Sequence, residues 1–409
     1  MPVNRAVANL LDDTGRIRFN PRSVMVSPKA TAPLFPPLSG ADFPARGQWG
    51  RSEEIDYSAL AEQVTSDADN FLRSCWGRLQ AVADPARRIF EIMAAARYRA
   101  GSVEGTAFMD NWELWRDRLT AAVREDTPIS IVLPSFPFKA PNPLKVRRHL
   151  PDMAELLCLA RLFEITKAIQ AVHPAGAVVH ILSEGRIYAP LFEVSAHEAQ
   201  VYRTEVDRMI ASLGADGAVR TVDILDDVVA PEQEDFDAVR EALEPELRQW
   251  WRDNADDAHR RYLVRNFIAS VHTGNETAQL LASVLNTALT NESITNAGHE
   301  LEQVRHRIEQ RADEAAFTYT LLLCTLKLTD VMGKYDPNAI RATVHPKPGQ
   351  WGIHLVNKKT SIYPWHGVAV RKPSGAWRIR TELDAIRSGA LPVRSGAYAM
   401  PFFYEELLT

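Results

Sequence analysis

The chain has 409 residues, with 47 Lys and Arg against 52 Asp and Glu, a formal net charge of −5, and a hydrophobic fraction of 46%. That length buries a large core and fits two or three domains, or one elaborated domain. The mild acidity excludes a dedicated nucleic-acid binder, and no apolar run approaches the roughly 20 residues of a membrane span. Cys75, Cys158 and Cys324 lie too far apart for a disulfide framework or a zinc pattern. With a Met-Pro-Val-Asn-Arg start that lacks a signal-peptide stretch, they point to a reducing compartment, and the expected location is cytoplasmic.

Residues 1–55 carry Pro21, Pro28, Pro33, Pro36, Pro37 and Pro44 and read as a proline-rich N-terminal extension, either an arm lying on the body or a partly disordered tail. Residues 56–409 read as one catalytic domain. Apolar residues at helical spacing, such as Val64, Phe71, Cys75 and Leu79, predict helices over 57–126. Residues 128–133 predict a short buried strand that stops at Pro134, and Pro137, Pro141 and Pro143 forbid regular structure after it. This loop holds Lys139, Lys145, Arg147, Arg148 and His149 and no acidic residue. It fits either an anion site between strand and helix or a basic surface loop stiffened by prolines.

A helix is expected over about 152–172, with Asp152 as its N-cap and Glu155 three residues on; Pro174 and Gly176 end it. Val178–Leu182 is the next strand, which makes a β-α-β unit with parallel strands. Ser183-Glu-Gly-Arg186 follows that strand. Both loops therefore fall at the carboxyl ends of parallel strands, where ligand sites of such sheets lie. Ser195 and Glu198 open a helix to about Leu213, and Val219–Leu225 is a third strand. Residues 232–333 form a long helical block, a cap over the sheet edge or a dimerisation surface, so a homodimer is one expectation. The C-terminal part is β-rich, with strands at Ile340–Val344, Gly352–Val356, Val368–Arg371 and Trp377–Arg380, and turns at Lys347-Pro-Gly and Pro373-Ser-Gly. The fold class is thus α/β, a Rossmann-like parallel-sheet core with a helical N-terminal part, a helical block and a β-rich end. No dinucleotide fingerprint, Walker A motif or nucleophile elbow is present. His345, His354 and His366 read as a mixture of core and surface imidazoles rather than metal ligands, because no carboxylate accompanies them at ligand spacing.

Four ordered motifs carry a resemblance. Phe136-Pro-Phe-Lys-Ala-Pro-Asn142 with Lys145 and Pro151-Asp-Met-Ala-Glu155, then Ser183-Glu-Gly-Arg186, then Ile340-Arg-Ala-Thr-Val-His-Pro346, then Tyr363-Pro-Trp-His-Gly-Val368 resemble the signature of the pyoverdine/dityrosine biosynthesis family over roughly residues 85–405. The family includes isonitrile synthases and a fungal enzyme that makes N-formyltyrosine. The resemblance implies an isonitrile synthase that joins the amine of a tyrosine- or tryptophan-like amino acid to the ketone carbon of ribulose 5-phosphate, with no redox cofactor and no metal. A formyl-amino-acid synthase and a non-catalytic interaction protein are the alternatives. The implied partners are the amino acid and the phosphosugar.

Roles follow from the chemistry this implies. A phosphate needs fixed Arg or Lys, and imine formation and enolisation need a base near neutrality. Lys139 would hold phosphate or polarise the ketone, the alternative being a solvated loop lysine. Arg186 would clamp phosphate or carboxylate, and Lys145 adds charge. Arg341 and His345, four apart on one strand, share a face and would pair clamp and base. His366 is a second base. Asn142 and Glu184 would orient sugar hydroxyls. Arg147, Arg148 and His149 are left as surface charges. The family often has Ser or Thr where Ala140 stands and Asp where Glu184 stands.

Overall fold

The computed structural model describes residues 52–97, 104–141, 145–271, 294–344, 350–356, 362–396 and 400–407. Among the described residues three helices come first, α1 (Tyr57–Gln80), α2 (Pro85–Ala96) and α3 (Glu104–Glu125). Asp56 and Asp84 cap α1 and α2 by accepting backbone N–H groups, and Pro85 starts α2 with its fixed φ. The apolar stripe read from the sequence is the one α1 buries, through Val64, Ala68, Cys75 and Leu79.

The core sheet is parallel throughout. β1 (Ile129–Pro134) pairs with β2 (Ala177–Ser183), and β2 with β3 (Val219–Asp223). On the other side, β1 pairs with β4 (Ile340–Thr343), and β4 with β5 (Trp351–Gly352). The order β3-β2-β1-β4-β5 puts a reversal of chain direction across the sheet beside β1, the topological switch point where such sheets hold ligands. Helix α4 (Met153–Gln170) is buried over most of its length, from Met153 and Leu156 to Ile169. Its start is the expected capping box, with Asp152 and Glu155 satisfying each other's backbone N–H groups. Ser195 and Glu198 do the same for α6 (Ala196–Ser212), which follows the short α5 (Gly185–Tyr188).

Three expectations change. The strand drawn to Leu225 ends at Asp223, because the Asp223 carboxylate accepts the Leu225 and Asp226 N–H groups and turns the chain into a wide helical turn over 224–229. The strand drawn over Gly352–Val356 is only Trp351–Gly352; Ile353 then bridges to Arg97. β4 stops at Thr343, and His345, expected on it with Arg341, lies outside the described residues.

The helical block contains α7 (Gln233–Asp253), α8 (Ala258–Val271), α9 (Ile294–Thr329) and α10 (Val331–Tyr335). It packs partly on itself, through Leu243, Leu247, Trp251, Phe267, Phe317 and Leu321; the leucine-rich stretch 280–289 lies outside the described residues. The C-terminal strands β6 (Val368–Arg371), β7 (Trp377–Arg380), β8 (Leu391–Val393) and β9 (Phe403–Glu405) form a second sheet in the order β7-β6-β9-β8, with α11 (Glu382–Arg387) between β7 and β8. The β6–β7 hairpin turns at Gly375, φ 79°, inside the expected Pro-Ser-Gly turn. Of the N-terminal extension only 52–55 is described. Ser52 bridges to Arg394, and the Glu53 carboxylate accepts both Arg371 guanidinium N–H groups at 2.7 Å. Among the described residues no helix is long and apolar enough to cross a membrane.

Candidate active site

The loops after β1 and β2 interlock at the carboxyl edge of the sheet. Ser183 Oγ donates to the Phe136 carbonyl at 3.3 Å. A Cβ at Gly185 would lie 2.1 Å from the Pro137 carbonyl oxygen, so the close approach requires glycine there. Phe136 itself sits at φ 52°, a left-handed conformation that a buried aromatic residue holds only when its surroundings enforce it. Its ring meets Trp365 edge-on at 5.6 Å, and Trp365 stacks on Tyr363 at 5.2 Å. The Tyr363 hydroxyl donates to the Val344 carbonyl just past β4. The motif segments around 136–139, 183–186 and 363–367 thus come together on one edge.

Lys139 is not a solvated loop lysine. Its side chain is 0% exposed, and Nζ has three acceptors, Asp152 Oδ2 at 2.6 Å, Glu155 Oε2 at 2.9 Å and the Gly367 carbonyl at 3.0 Å. Three N–H donors with three acceptors describe an ammonium ion with no capacity left for a phosphate. The sequence-based role of phosphate ligand does not fit this placement. What Lys139 does is fix the turn that follows His366 against the β1 loop and the start of α4.

Arg147 and Arg148 of the loop are spoken for as well. Arg148, read as a surface charge, is buried and reaches Asp152 at 3.5 Å and Glu382 at 3.2 Å. Arg147 donates its backbone N–H to Glu382 at 2.6 Å. Tyr404 on β9 donates to Glu382 at 2.6 Å, and Tyr202 on α6 donates to Glu155 at 3.1 Å. Three carboxylates and two buried cations therefore join α4, the β1 loop and the C-terminal sheet. Burial, with the Asp152 charge and against the Lys139 charge, pushes the Glu155 carboxyl up to about 7. Burial also works on Glu382, but Arg148, Tyr404 and Arg147 hold it below the ordinary carboxylate value. The anion-site reading does not fit Lys139, Arg147 or Arg148 for a physical reason: their counter-charges come from Asp152 and Glu155 at the start of α4, just past the loop, and from Glu382 of α11, distant in sequence.

Arg186 projects from the β2 loop with its side chain 32% exposed. It donates to Asp223 at 3.2 Å and to Asp226, and Asp223 also takes Arg203 at 2.7 Å. Arg341 pairs with Asp330 at 2.9 Å, both side chains being exposed. Lys145 is half-buried, and burial pushes its ammonium below the ordinary lysine value. His366 and Glu184 are half-buried on the edge, His366 closing the 364–366 turn and Glu184 preceding α5. His354 lies half-buried after β5, pushed below its ordinary value by burial and then by Arg161. Asn142 lies outside the described residues, as does His345. Sequence reasoning missed Glu382, Tyr404 and Tyr202 as partners of the motif. For Tyr202 the helical register facing α4 was a usable signal; for Glu382 and Tyr404 no local signal existed.

Comparison with known proteins bears on this geometry. The model of the family described as "Pyoverdine/dityrosine biosynthesis protein" matches residues 119–390. An L-tyrosine isonitrile synthase of Pseudomonas aeruginosa is 28% identical over 300 residues, covering 70% of this chain and 84% of that protein. An L-tyrosine isonitrile synthase of Xenorhabdus nematophila is 27% identical over 63% of this chain and 72% of that protein. An L-tryptophan isonitrile synthase of Fischerella ambigua is 25% identical over 61% of this chain and 72% of that protein. The crystal structure of PvcA from Pseudomonas aeruginosa shares the fold, with a TM-score of 0.60 at 21% identity over 79% of this chain and 100% of that one.

Proposed function

This chain belongs to the pyoverdine/dityrosine biosynthesis family, and from that premise we propose that it is an isonitrile synthase. The amine of a tyrosine- or tryptophan-like amino acid condenses with the ketone carbon of ribulose 5-phosphate. After loss of phosphate and carbon–carbon cleavage, that carbon remains on nitrogen as the isonitrile. The observation that carries the reading is the interlock of three family motifs at one sheet edge, through Ser183 on Phe136, Pro137 over Gly185 and Lys139 on Gly367. The named activity of the relatives supports it.

The residues divide the work as follows. Lys139, saturated by Asp152, Glu155 and Gly367, is a positioning residue that sets the His366 turn. His366 is the base at the edge, and His345 is the second base expected from the sequence. Arg186 takes the phosphate by exchanging the exposed Asp226 carboxylate for it, while Asp223 keeps the guanidinium in place; a bidentate guanidinium suits a phosphate in this way. No redox cofactor or metal enters this scheme, and the protein works in the cytoplasm on two small molecules.

The test is direct. Purified protein with ribulose 5-phosphate and either L-tyrosine or L-tryptophan is expected to give the isonitrile. Mass analysis separates it from the formamide, which is heavier by one water. Formamide as the primary product would convert the assignment to a formyl-amino-acid synthase, and no product from either amino acid would refute it.

A further inference from the structure

A run of aromatic rings joins the sheet edge to the helical block, and the proposed chemistry so far gives it no task. Phe138 of the β1 loop meets Phe192 edge-on at 5.5 Å. Phe192 stacks on Phe267 of α8 at 4.8 Å, Phe267 lies 5.9 Å from Tyr319 of α9, and Tyr319 lies 5.0 Å from Tyr188. The run ends on a polar defect. Tyr188 is 5% exposed, and its hydroxyl is buried with no hydrogen-bond partner among the described residues. Buried hydroxyls are nearly always paired, so an orphan in a native fold calls for a use.

Glu184 stands one helical turn before Tyr188, whose N–H donates to the Glu184 carbonyl at 3.2 Å; residues at that spacing share a face. Burial raises the hydroxyl groups of Tyr188 and Tyr319, and the Glu184 charge raises both further, so the carboxylate is close to each. A negative charge, an unused hydroxyl and several aromatic faces at the carboxyl end of β2 make a definite chemical combination. Aromatic rings accept another ring edge-on or offset, and carboxylate and ring faces together favour an ammonium group.

We propose that this cluster is the amino-acid subsite. Phe138, Phe192, Phe267 and Tyr319 receive an aromatic side chain, while the Glu184 carboxylate and the Tyr188 oxygen accept hydrogen bonds from the α-ammonium group. The inference rests on the isonitrile synthase reading and adds to it a binding mode for the amino acid. Substrate parts Phe192 from Phe267, the contact between the sheet-edge turn and α8.

The experiment compares wild type with Tyr188→Phe and Glu184→Gln. Calorimetry measures L-tyrosine, L-tryptophan and L-leucine binding, and steady-state assays measure KM for amino acid and for ribulose 5-phosphate separately. Wild type is expected to bind the aromatic amino acids at least tenfold more tightly than L-leucine. Each substitution is expected to weaken aromatic amino-acid binding about 10- to 100-fold, the scale of a hydrogen bond to a charged group. KM for the amino acid rises with it, and KM for the phosphosugar stays. Melting of Tyr188→Phe stays level or rises, since the lost hydroxyl had no partner. Wild-type affinity in Tyr188→Phe, or no preference for aromatic over leucine side chains, overturns the subsite. Absence of isonitrile from wild type, with selective aromatic binding that both variants lose, sinks the enzymatic reading and leaves the subsite standing.

Discussion

Replacing Lys139 by methionine tests whether the motif lysine is a strut inside the protein or a ligand at its surface. Methionine matches the unbranched stem as far as Cε, so most of the packing is conserved while the ammonium is lost. Three acceptors within 3.0 Å then lose their common donor, and Asp152 and Glu155, both buried, face each other with no lysine between them. Breaking a buried ion pair in this way costs about 3–5 kcal/mol, whereas an exposed pair costs about 0–1 kcal/mol. At roughly 2 °C per kcal/mol for a chain of this size, the melting midpoint at neutral pH should fall by about 6–10 °C. The loss should shrink at pH 5, where Glu155, held up at about 7, is protonated and no longer repels Asp152. Thermal unfolding followed by circular dichroism at both pH values measures this. A fall of less than about 2 °C at neutral pH would refute the buried-strut argument and return Lys139 to the list of phosphate ligands.

Three further outcomes are expected. Glu155 has a folded-state value near 7 against an ordinary 4.5, so between those pH values the folded protein keeps a proton that the unfolded chain has released; stability from this group falls as pH rises through that window and is level outside it. Glu155→Gln, which mimics the protonated acid, should therefore gain stability relative to wild type from pH 4.5 to 7, and a melting difference that does not change with pH contradicts the assignment. Gly185→Ala should lose about 1–3 kcal/mol and most activity, because its Cβ meets the Pro137 carbonyl; a crystal structure or melt showing an undisturbed fold would count against the interlock. Arg186→Ala should weaken ribulose 5-phosphate binding about 10-fold or more, while Asp226→Asn, which removes the competing carboxylate, should strengthen it; calorimetry showing no change in either variant rules out Arg186 as the phosphate clamp.

The parts of this fold that were legible in the sequence are those set by local chemistry. The capping boxes at Asp152/Glu155 and Ser195/Glu198 and the apolar β1 core are local signals, and each forms where the residues indicate. The shared edge of the β1 and β2 loops followed from the β-α-β rule and is what the Ser183–Phe136 bond realises. What was not legible depends on partners distant in sequence. A proline-rich loop with five basic residues looks exposed until Glu382, some 240 residues past Lys139, closes on Arg148. The strand at 219–223 ended early because a single aspartate turned its side chain onto the following N–H groups. The three-residue strands β8 and β9 are too short to show alternation, and only the sheet they complete reveals them.

The position of β4 beside β1 has a consequence during synthesis. Ile131 pairs with Ile340, so one flank of the central strand waits for a segment made about 200 residues later. At about 5–20 residues per second on the ribosome, that edge stays open for roughly 10–40 s, an apolar strand with unpaired backbone groups. The intervening stretch supplies helices with their own packed centre around Trp251, Phe267 and Phe317, which can condense while the sheet is half built. A nascent chain halted before residue 340 should thus carry β3-β2-β1 with one raw flank, the form of this protein most exposed to chaperones and to aggregation.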